Sequence, residues 1–195
     1  MGDPKKQRKK YETPRHPWRK DQIEVELKLV GEYGLRNKRE LWRYRTMLSQ
    51  VRGIARSLLA KSGEERAKLE NEYLLKLSRV GLLPEQTEID NVLDLDIKDL
   101  LERRLQTMVF RSGLAKSIHQ ARQMVSHGHI VIGNRRVTVP SYLVSKLEEP
   151  AIKYAPESPF TKPDHPGIKS LEPTSPAPTE APVSQETAKD QEEEV

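Results

Sequence analysis

The chain reads as a mainly α protein carrying a small α+β module: an N-terminal helical lobe, then two helices on a tight hairpin, then an acidic proline-rich tail. Three observations predict this. Apolar residues recur at three- and four-residue steps through the first half of the chain. The period changes to strand alternation at Ile130-Val131-Ile132, and nine of the 14 prolines lie from Pro150 onward. The expected division is a basic arm over 1–20, a helical lobe over 21–100, the helix-helix-hairpin module over 101–150 and a tail over 151–195.

The opening Lys5-Lys6-Gln7-Arg8-Lys9-Lys10 has no apolar stretch, so it is neither a secretory signal nor a segment that folds alone. Ile23 to Val30 alternates like a strand, yet Ile23, Leu27 and Val30 also fit helical spacing, and the Glu/Leu/Lys content favours helix. Asn37-Lys38-Arg39-Glu40 fits a capping box, and Leu41, Tyr44, Leu48, Val51, Ala55 and Leu58 then supply the buried stripe of a helix of about six turns. Lys38, Trp42, Arg45, Ser49, Arg52 and Arg56 gather on another face, about 100° away. Ser62-Gly63-Glu64-Glu65 repeats the capping pattern, Leu69, Tyr73, Leu77 and Val80 continue as a stripe, and Gly81 suits a left-handed C-terminal residue.

In the module, Asp96 is expected to cap a helix with Asp99 at its third position and Leu95 stapled to Leu100. Ile97, Leu101, Leu105 and Met108 form the stripe of that single helix, which Gly113 ends. Ser117-Ile118-His119-Gln120 opens a second helix with Ile118, Ala121, Met124 and Val125 facing inward and Gly128 terminating it. Ile130 to Ile132 and Arg135 to Val139 then pair across Gly133-Asn134 until Pro140 stops the ladder. From 151 the chain lacks the apolar content to offset its ordering entropy and is expected to be disordered.

Charge separates along the chain. Residues 1–60 carry 16 basic and 7 acidic groups, 61–100 carry 6 and 10, 101–147 carry 8 and 1, and 151–195 carry 4 and 9. Two concentrated positive stretches suit a polyanion bound with strong salt dependence. The chain has no cysteine, which excludes disulfides and thiolate metal sites, and no 18-residue apolar run. A soluble intracellular protein is the expectation, with no membrane partner.

The candidate contacts are the arm's Lys5, Lys6, Arg8, Lys9 and Lys10; Arg36, Lys38, Arg39, Trp42, Arg43, Arg45, Arg52 and Arg56 around the long helix; and a set in the module. In the module, free backbone N–H groups at the start of the second helix stand beside Lys116 and Ser117, an arrangement that accepts a phosphate. Arg103 and Arg104 project from the first helix, Gln120, Arg122 and Gln123 lie off the second helix's apolar stripe or at its start, and Arg135 and Arg136 come from the hairpin. Guanidinium forks grip phosphate oxygens or stack on splayed bases, which suits structured RNA. His127, His129 and Asn134 complete the set.

The bland readings are specific. His127-Gly128-His129, with no carboxylate nearby in sequence, makes a weak metal pair, and the two imidazoles are assigned to RNA backbone or to capping the hairpin. Arg103 and Arg104 have an alternative as salt-bridge partners of Glu102 or Asp99, and Asn134 as a turn-former. Gly31-Glu32-Tyr33-Gly34 lacks a preceding strand and a P-loop lysine and reads as a turn. The sequence offers no phosphate-binding glycine loop, no plausible Ser/His/Asp grouping and no carboxylates with obvious partners, so neither catalysis, a cofactor nor a small-molecule substrate is expected.

The run Arg103-Arg104-Leu105, Ala115-x-Ser117, Gln120-Ala121-Arg122, Val125-x-x-Gly128-His129-Ile130-x-Ile132-Gly133-Asn134 and Pro140 closely resembles the RNA-binding module, or alpha-L motif, named after ribosomal protein S-four. That module also occurs in RNA-modifying enzymes and aminoacyl-tRNA synthetases. Lys28 to Arg43 separates these hosts, because it is similar to the N-terminal helical region of the archaeal and eukaryotic ribosomal members. The resemblance spans about residues 5–150 and fits the archaeal branch better on compactness; the cysteine cluster frequent in the bacterial branch is missing. It implies a cytoplasmic, ribosomal, primary binder of small-subunit rRNA that nucleates folding of the subunit body. It also implies contact with neighbouring small-subunit proteins, a place near the mRNA entrance and a part in decoding accuracy. An RNA-modifying enzyme and a non-ribosomal RNA chaperone or rescue factor are the competing functions. The former needs a catalytic constellation that the helical lobe does not supply.

Overall fold

A computed structural model describes residues 9–84 and 87–161. The arm residues Lys5, Lys6 and Arg8, and the tail from 162 onward, lie outside the described residues. The elements are α1 (Lys20–Glu32), α2 (Lys38–Leu59), α3 (Glu64–Val80), α4 (Asn91–Asp94), α5 (Ile97–Glu102), α6 (Leu105–Arg111), α7 (Ile118–Ser126), β1 (Ile130–Ile132), β2 (Arg135–Arg136) and β3 (Ile152–Tyr154), with 3-10 turns at Glu149–Ala151 and Pro159–Thr161.

The capping logic places the main helices. The extended Asn37 accepts from the Glu40 amide at 3.1 Å, and Leu41, Tyr44, Leu48, Ala55 and Leu58 of α2 are buried. The segment from Ile23 to Val30 is helical, within α1. Gly31 and Glu32 close that helix, so the expected turn begins only at Tyr33. α3 starts one residue later than its pattern implies: Gly63, not Ser62, occupies the cap and contributes no side chain. Leu69, expected in the stripe, is exposed, whereas Tyr73 and Leu77 pack inward and the Tyr73 hydroxyl donates to the Val51 carbonyl at 3.1 Å.

The module departs from expectation at its first helix. The continuous stripe Ile97, Leu101, Leu105, Met108 predicts one helix, but the chain breaks at Arg103-Arg104, and Arg104 is extended. A returning segment causes the break. The Leu105 amide donates to the Tyr142 carbonyl at 2.7 Å, the Gln106 amide to Pro140 at 3.3 Å, and the Val144 amide donates back to Arg103 at 2.9 Å. Backbone groups that a helix would satisfy internally are paired instead with a loop some 40 residues away. The break divides two cores: Leu100 and Leu101 complete the helical lobe with Leu41, Leu48 and Val92, while Leu105 and Val109 join Val125, Ile130 and Ile132.

The hairpin also has a third partner. β1 lies centrally, antiparallel to β2 with Ile132 opposite Arg135, and antiparallel to β3 with Ile132 opposite Ile152. The expectation that disorder begins at 151 is therefore corrected for 151–161. Ile152 and Ala155 are buried, the Ala155 amide donates to the His129 carbonyl at 2.8 Å, and Phe160 packs on Tyr154 and His129. This short apolar anchor supplies enough pairing and burial to order the start of an otherwise polar, proline-rich segment.

Candidate RNA-binding surface

Glu40, at the start of α2, joins the two lobes. Its Oε2 accepts from Arg104 Nη2 at 3.0 Å and its Oε1 from Arg122 Nη2 at 2.7 Å, with Arg122 Nη1 also reaching Oε2 at 3.2 Å. Burial pushes the Glu40 carboxyl up, but the Arg122 hydrogen bonds and the charges of Arg104 and Arg122 outweigh it and hold the group below the ordinary carboxylate value. Arg104 is 0% exposed, lies over the Tyr44 ring at 5.2 Å, and has its Nε and Nη1 buried without a partner. Beside this carboxylate, buried Gln106 brings its amide nitrogen within 3.1 Å of the Gly34 carbonyl and 3.0 Å of Ile118, and its Oε1 lies 3.3 Å from Arg122 Nη1. Gly34, at φ +55°, allows this approach: a Cβ there would stand 2.8 Å from Ile118 Cγ2.

Three arginines expected to reach RNA are therefore committed to the fold. Arg104 and Arg122 bind Glu40. Arg103 is mostly covered, donating to the Val144 carbonyl at 3.0 Å and to Glu149 at 2.9 Å, with its guanidinium against Gly81. The alternative reading of Arg103 and Arg104 as ion-pair partners was right in kind, but Glu102 and Asp99 are not the partners. Glu102 pairs with Arg111 and accepts from the Tyr33 hydroxyl at 2.9 Å, while Asp99 closes a capping box with Asp96.

On the helical lobe, Lys9, Lys10, Arg36, Arg39, Arg43, Arg45 and Arg56 are exposed. Lys9 Nζ lies 4.7 Å from the centre of the Tyr11 ring, which in turn packs against Trp42. Two members of the expected basic face are used internally: Trp42 Nε1 donates to Glu26 at 3.2 Å and Lys38 pairs with the same carboxylate at 3.4 Å. This explains how α1 buries an acid. Arg52 is half-buried; Nη2 donates to the Leu95 carbonyl at 2.6 Å and its buried Nε has no partner. Arg45, Arg52 and Arg56 line a groove of about 690 Å³ between α1, α2 and the start of α5.

In the module, Arg135 and Arg136 are exposed and hold only exposed or half-exposed acids: Arg136 meets Glu157 at 3.0 Å, and Arg135 stands 3.7 Å from Glu148 and donates to the Tyr142 hydroxyl. Burial raises the Glu148 carboxyl, but the Ser145 amide, the Tyr142 and Ser145 hydroxyls and the Arg135 charge draw it below the ordinary value. Asn134 is exposed at the turn beside Gly133, whose φ is +59°. The start of α7 is less open than its sequence implies. Ser117 Oγ accepts the Gln120 amide at 3.2 Å and Gln120 Oε1 accepts the Lys116 amide at 2.7 Å, so two backbone donors assigned to phosphate are occupied. Lys116 and Ser117 themselves are exposed.

Gln120, Gln123, His127 and His129 border a hollow of about 320 Å³ with Met124 and Phe160. His127 and His129 have ring centres 6.3 Å apart, and His129 Nδ1 lies 3.1 Å from Ser158 Oγ. No group of metal ligands forms among the described residues. The sequence reading missed Arg15, Trp18 and Arg19, exposed just before α1, Lys20, exposed at its first position, and Lys153, exposed on β3. The run of cations around Trp18 was the available signal.

Two cation-bearing lobes are fixed to each other by the ion pairs of Glu40 with Arg104 and Arg122, and the second is a helix-helix-sheet module of the RNA-binding S4 class. The family model of the S4 domain matches residues 103–149. Beyond the module, the chain is 55% identical over 162 residues to small ribosomal subunit protein uS4 of Ignicoccus hospitalis, covering 83% of this chain and 98% of that protein. It is 52% identical over the same length to uS4 of Hyperthermus butylicus, covering 83% and 92%. The chain belongs to the uS4 family of small ribosomal subunit proteins.

Proposed function

We propose that this protein is a structural constituent of the small ribosomal subunit, acting by binding rRNA and not by catalysis, and residing with the ribosome in the cytoplasm. The observation that supports this best is that the likeness to uS4 spans both lobes, so both cationic faces and the clasp between them fall within it. On the helical lobe the contact set is Lys9, Lys10, Arg36, Arg39, Arg43, Arg45, Arg52 and Arg56, with Lys5, Lys6 and Arg8 of the arm. On the module it is Lys116, Ser117, Gln123, His127, Asn134, Arg135 and Arg136. Surface arginines paired with exposed acids exchange a carboxylate for a phosphate at little cost, because such pairs contribute only ~0–1 kcal/mol.

The geometry supports a reading as a primary binder. A rigid body presenting two charged faces recognises a pre-shaped junction by its sugar-phosphate outline, and fixing two RNA elements at one angle nucleates the body of the subunit. Neighbouring small-subunit proteins, a place near the mRNA entrance and a part in decoding accuracy belong to the same reading through the family resemblance.

The test is reconstitution of the purified protein with small-subunit rRNA. Binding that falls steeply with salt, and retention at unit stoichiometry in particles washed at high salt, are the expected results. Failure to bind that rRNA at low salt refutes the proposal; loss in the wash assigns the protein to a dissociable factor.

A further inference from the structure

Trp18 is 88% exposed, an unusual state for the largest apolar side chain, which is highly buried on average. Its setting is built: His16, Pro17, Trp18 and Arg19 form a turn closed by the Arg19 amide on the His16 carbonyl at 3.4 Å, with proline where a turn favours it. The turn is fixed directly to the first residue of α1. Arg15, His16, Arg19 and Lys20 flank Trp18 in sequence, all exposed, and no acid occurs between Thr13 and Lys20. Among the described residues Leu147 is the other strongly exposed apolar side chain, but it has no π face and stands beside Glu148.

We infer that Trp18 is a stacking platform for an unpaired RNA base, with the strand's phosphates running over the cations beside it toward the α2 groove. Arg19 lines that groove together with Arg45, Arg52 and Arg56, and Arg52 Nε is a buried donor without an acceptor. The groove's acids are accounted for: Glu26 is held by Lys38 and Trp42, Asp96 sits in its capping box, and Asp21 faces Arg19 at 3.6 Å. An aromatic face beside a cationic track is the chemistry that holds single strands without reading sequence, since every base has a π face. This inference rests on the rRNA reading and adds to it that one contact is to single-stranded RNA outside the module.

The experiment uses the full chain, Trp18→Ala and Trp18→Phe, with three probes: small-subunit rRNA, a uridine 12-mer carrying one 2-aminopurine, and an RNA duplex of equal length. Trp18→Ala is expected to weaken binding of the single strand about 5- to 150-fold, the range of one lost base stack. It should abolish the 2-aminopurine quenching and change duplex affinity less than about twofold, as expected of a contact that a paired base cannot make. Trp18→Phe recovers most of the affinity, and melting temperatures stay unchanged because the side chain is exposed. If the wild type binds rRNA while Trp18→Ala matches it on the single strand, or loses single strand and duplex equally, the inference is overturned and the rRNA reading stands. If the wild type fails on rRNA itself, the parent reading falls.

Discussion

Replacing Glu40 by alanine removes the carboxylate that Arg104 and Arg122 share and leaves Arg104, fully buried, with none of its guanidinium nitrogens bonded to an acceptor. Stripping one partner from a buried ion pair costs about 3–5 kcal/mol, because the remaining charge stays desolvated. Glu40 retains 18% side-chain exposure and Arg122 26%, so water enters the gap and the lower end applies. Urea unfolding followed by far-ultraviolet dichroism should therefore show about 3 kcal/mol lost, or a fall in Tm of about 6–12 °C for a chain of this size. Glu40→Gln keeps one acceptor and is expected to lose about 2 kcal/mol. The double change Glu40→Leu with Arg104→Met should recover much of the loss, since an apolar pair of similar volume is not stranded. The pH dependence has a fixed sign. Against the upward push of burial, Arg122 and Arg104 hold the folded Glu40 carboxyl below 4.5, so its contribution is fully present above that value and is lost as pH falls through the lowered one. The gap between wild type and Glu40→Gln should be flat near neutrality and narrow below about pH 4.5. A Glu40→Ala protein within about 0.5 kcal/mol of wild type, the range of an ordinary surface change, refutes the clasp.

Gly34→Ala adds left-handed strain to a Cβ contact of 2.8 Å with Ile118, so a loss of about 2–4 kcal/mol is expected in thermal melts. Arg45→Ala with Arg56→Ala should leave the melt unchanged while weakening rRNA binding and lowering the salt slope by about 1 per residue; an unchanged slope removes them from the contact set. Ending the chain after residue 161 should preserve the melt, whereas ending it after 150 deletes β3 and the buried Ile152 and lowers stability by about 2 kcal/mol or more; equal melts would remove β3 from the fold's support.

What could be read from the sequence was what neighbours in sequence decide. The caps Asn37, Asp96 and Ser117 and the stop residues Gly81 and Gly128 lie within a turn of the groups they satisfy, so α2, α5, α7 and the ends of α3 and α7 followed. The break at Arg103-Arg104 could not be found that way. Its cause is the segment from Pro140 to Val144, and the stripe through Leu101 and Leu105 keeps helical spacing across it. β3 was hidden similarly: three residues in a proline-rich context carry little strand signal until β1 is present to pair with them. Trp18 lies between the lysine-rich arm and the first helical stripe, where no periodicity singles it out.

The arginines show the same limit in electrostatic form, and it bears on function. The stretch 101–147 counts eight Lys/Arg against one acid, but at least six of the eight, Arg103, Arg104, Arg111, Arg122, Arg135 and Arg136, form ion pairs. Apart from Glu102, the acids come from outside the stretch: Glu40, Glu148, Glu149 and Glu157. A local charge count therefore overstates the field the module presents and cannot sort its cations. Burial sorts them. At Arg135 and Arg136, 64% and 52% exposed, exchanging the carboxylate for a phosphate would cost little, because the pair is already largely screened by water. At Arg104 the same exchange would require opening the interface between the lobes. Arginines that look equivalent in sequence thus divide into exposed ones, proposed above as RNA contacts, and buried ones that fix the two lobes to each other, and loss of the second kind should weaken binding only by loosening the fold.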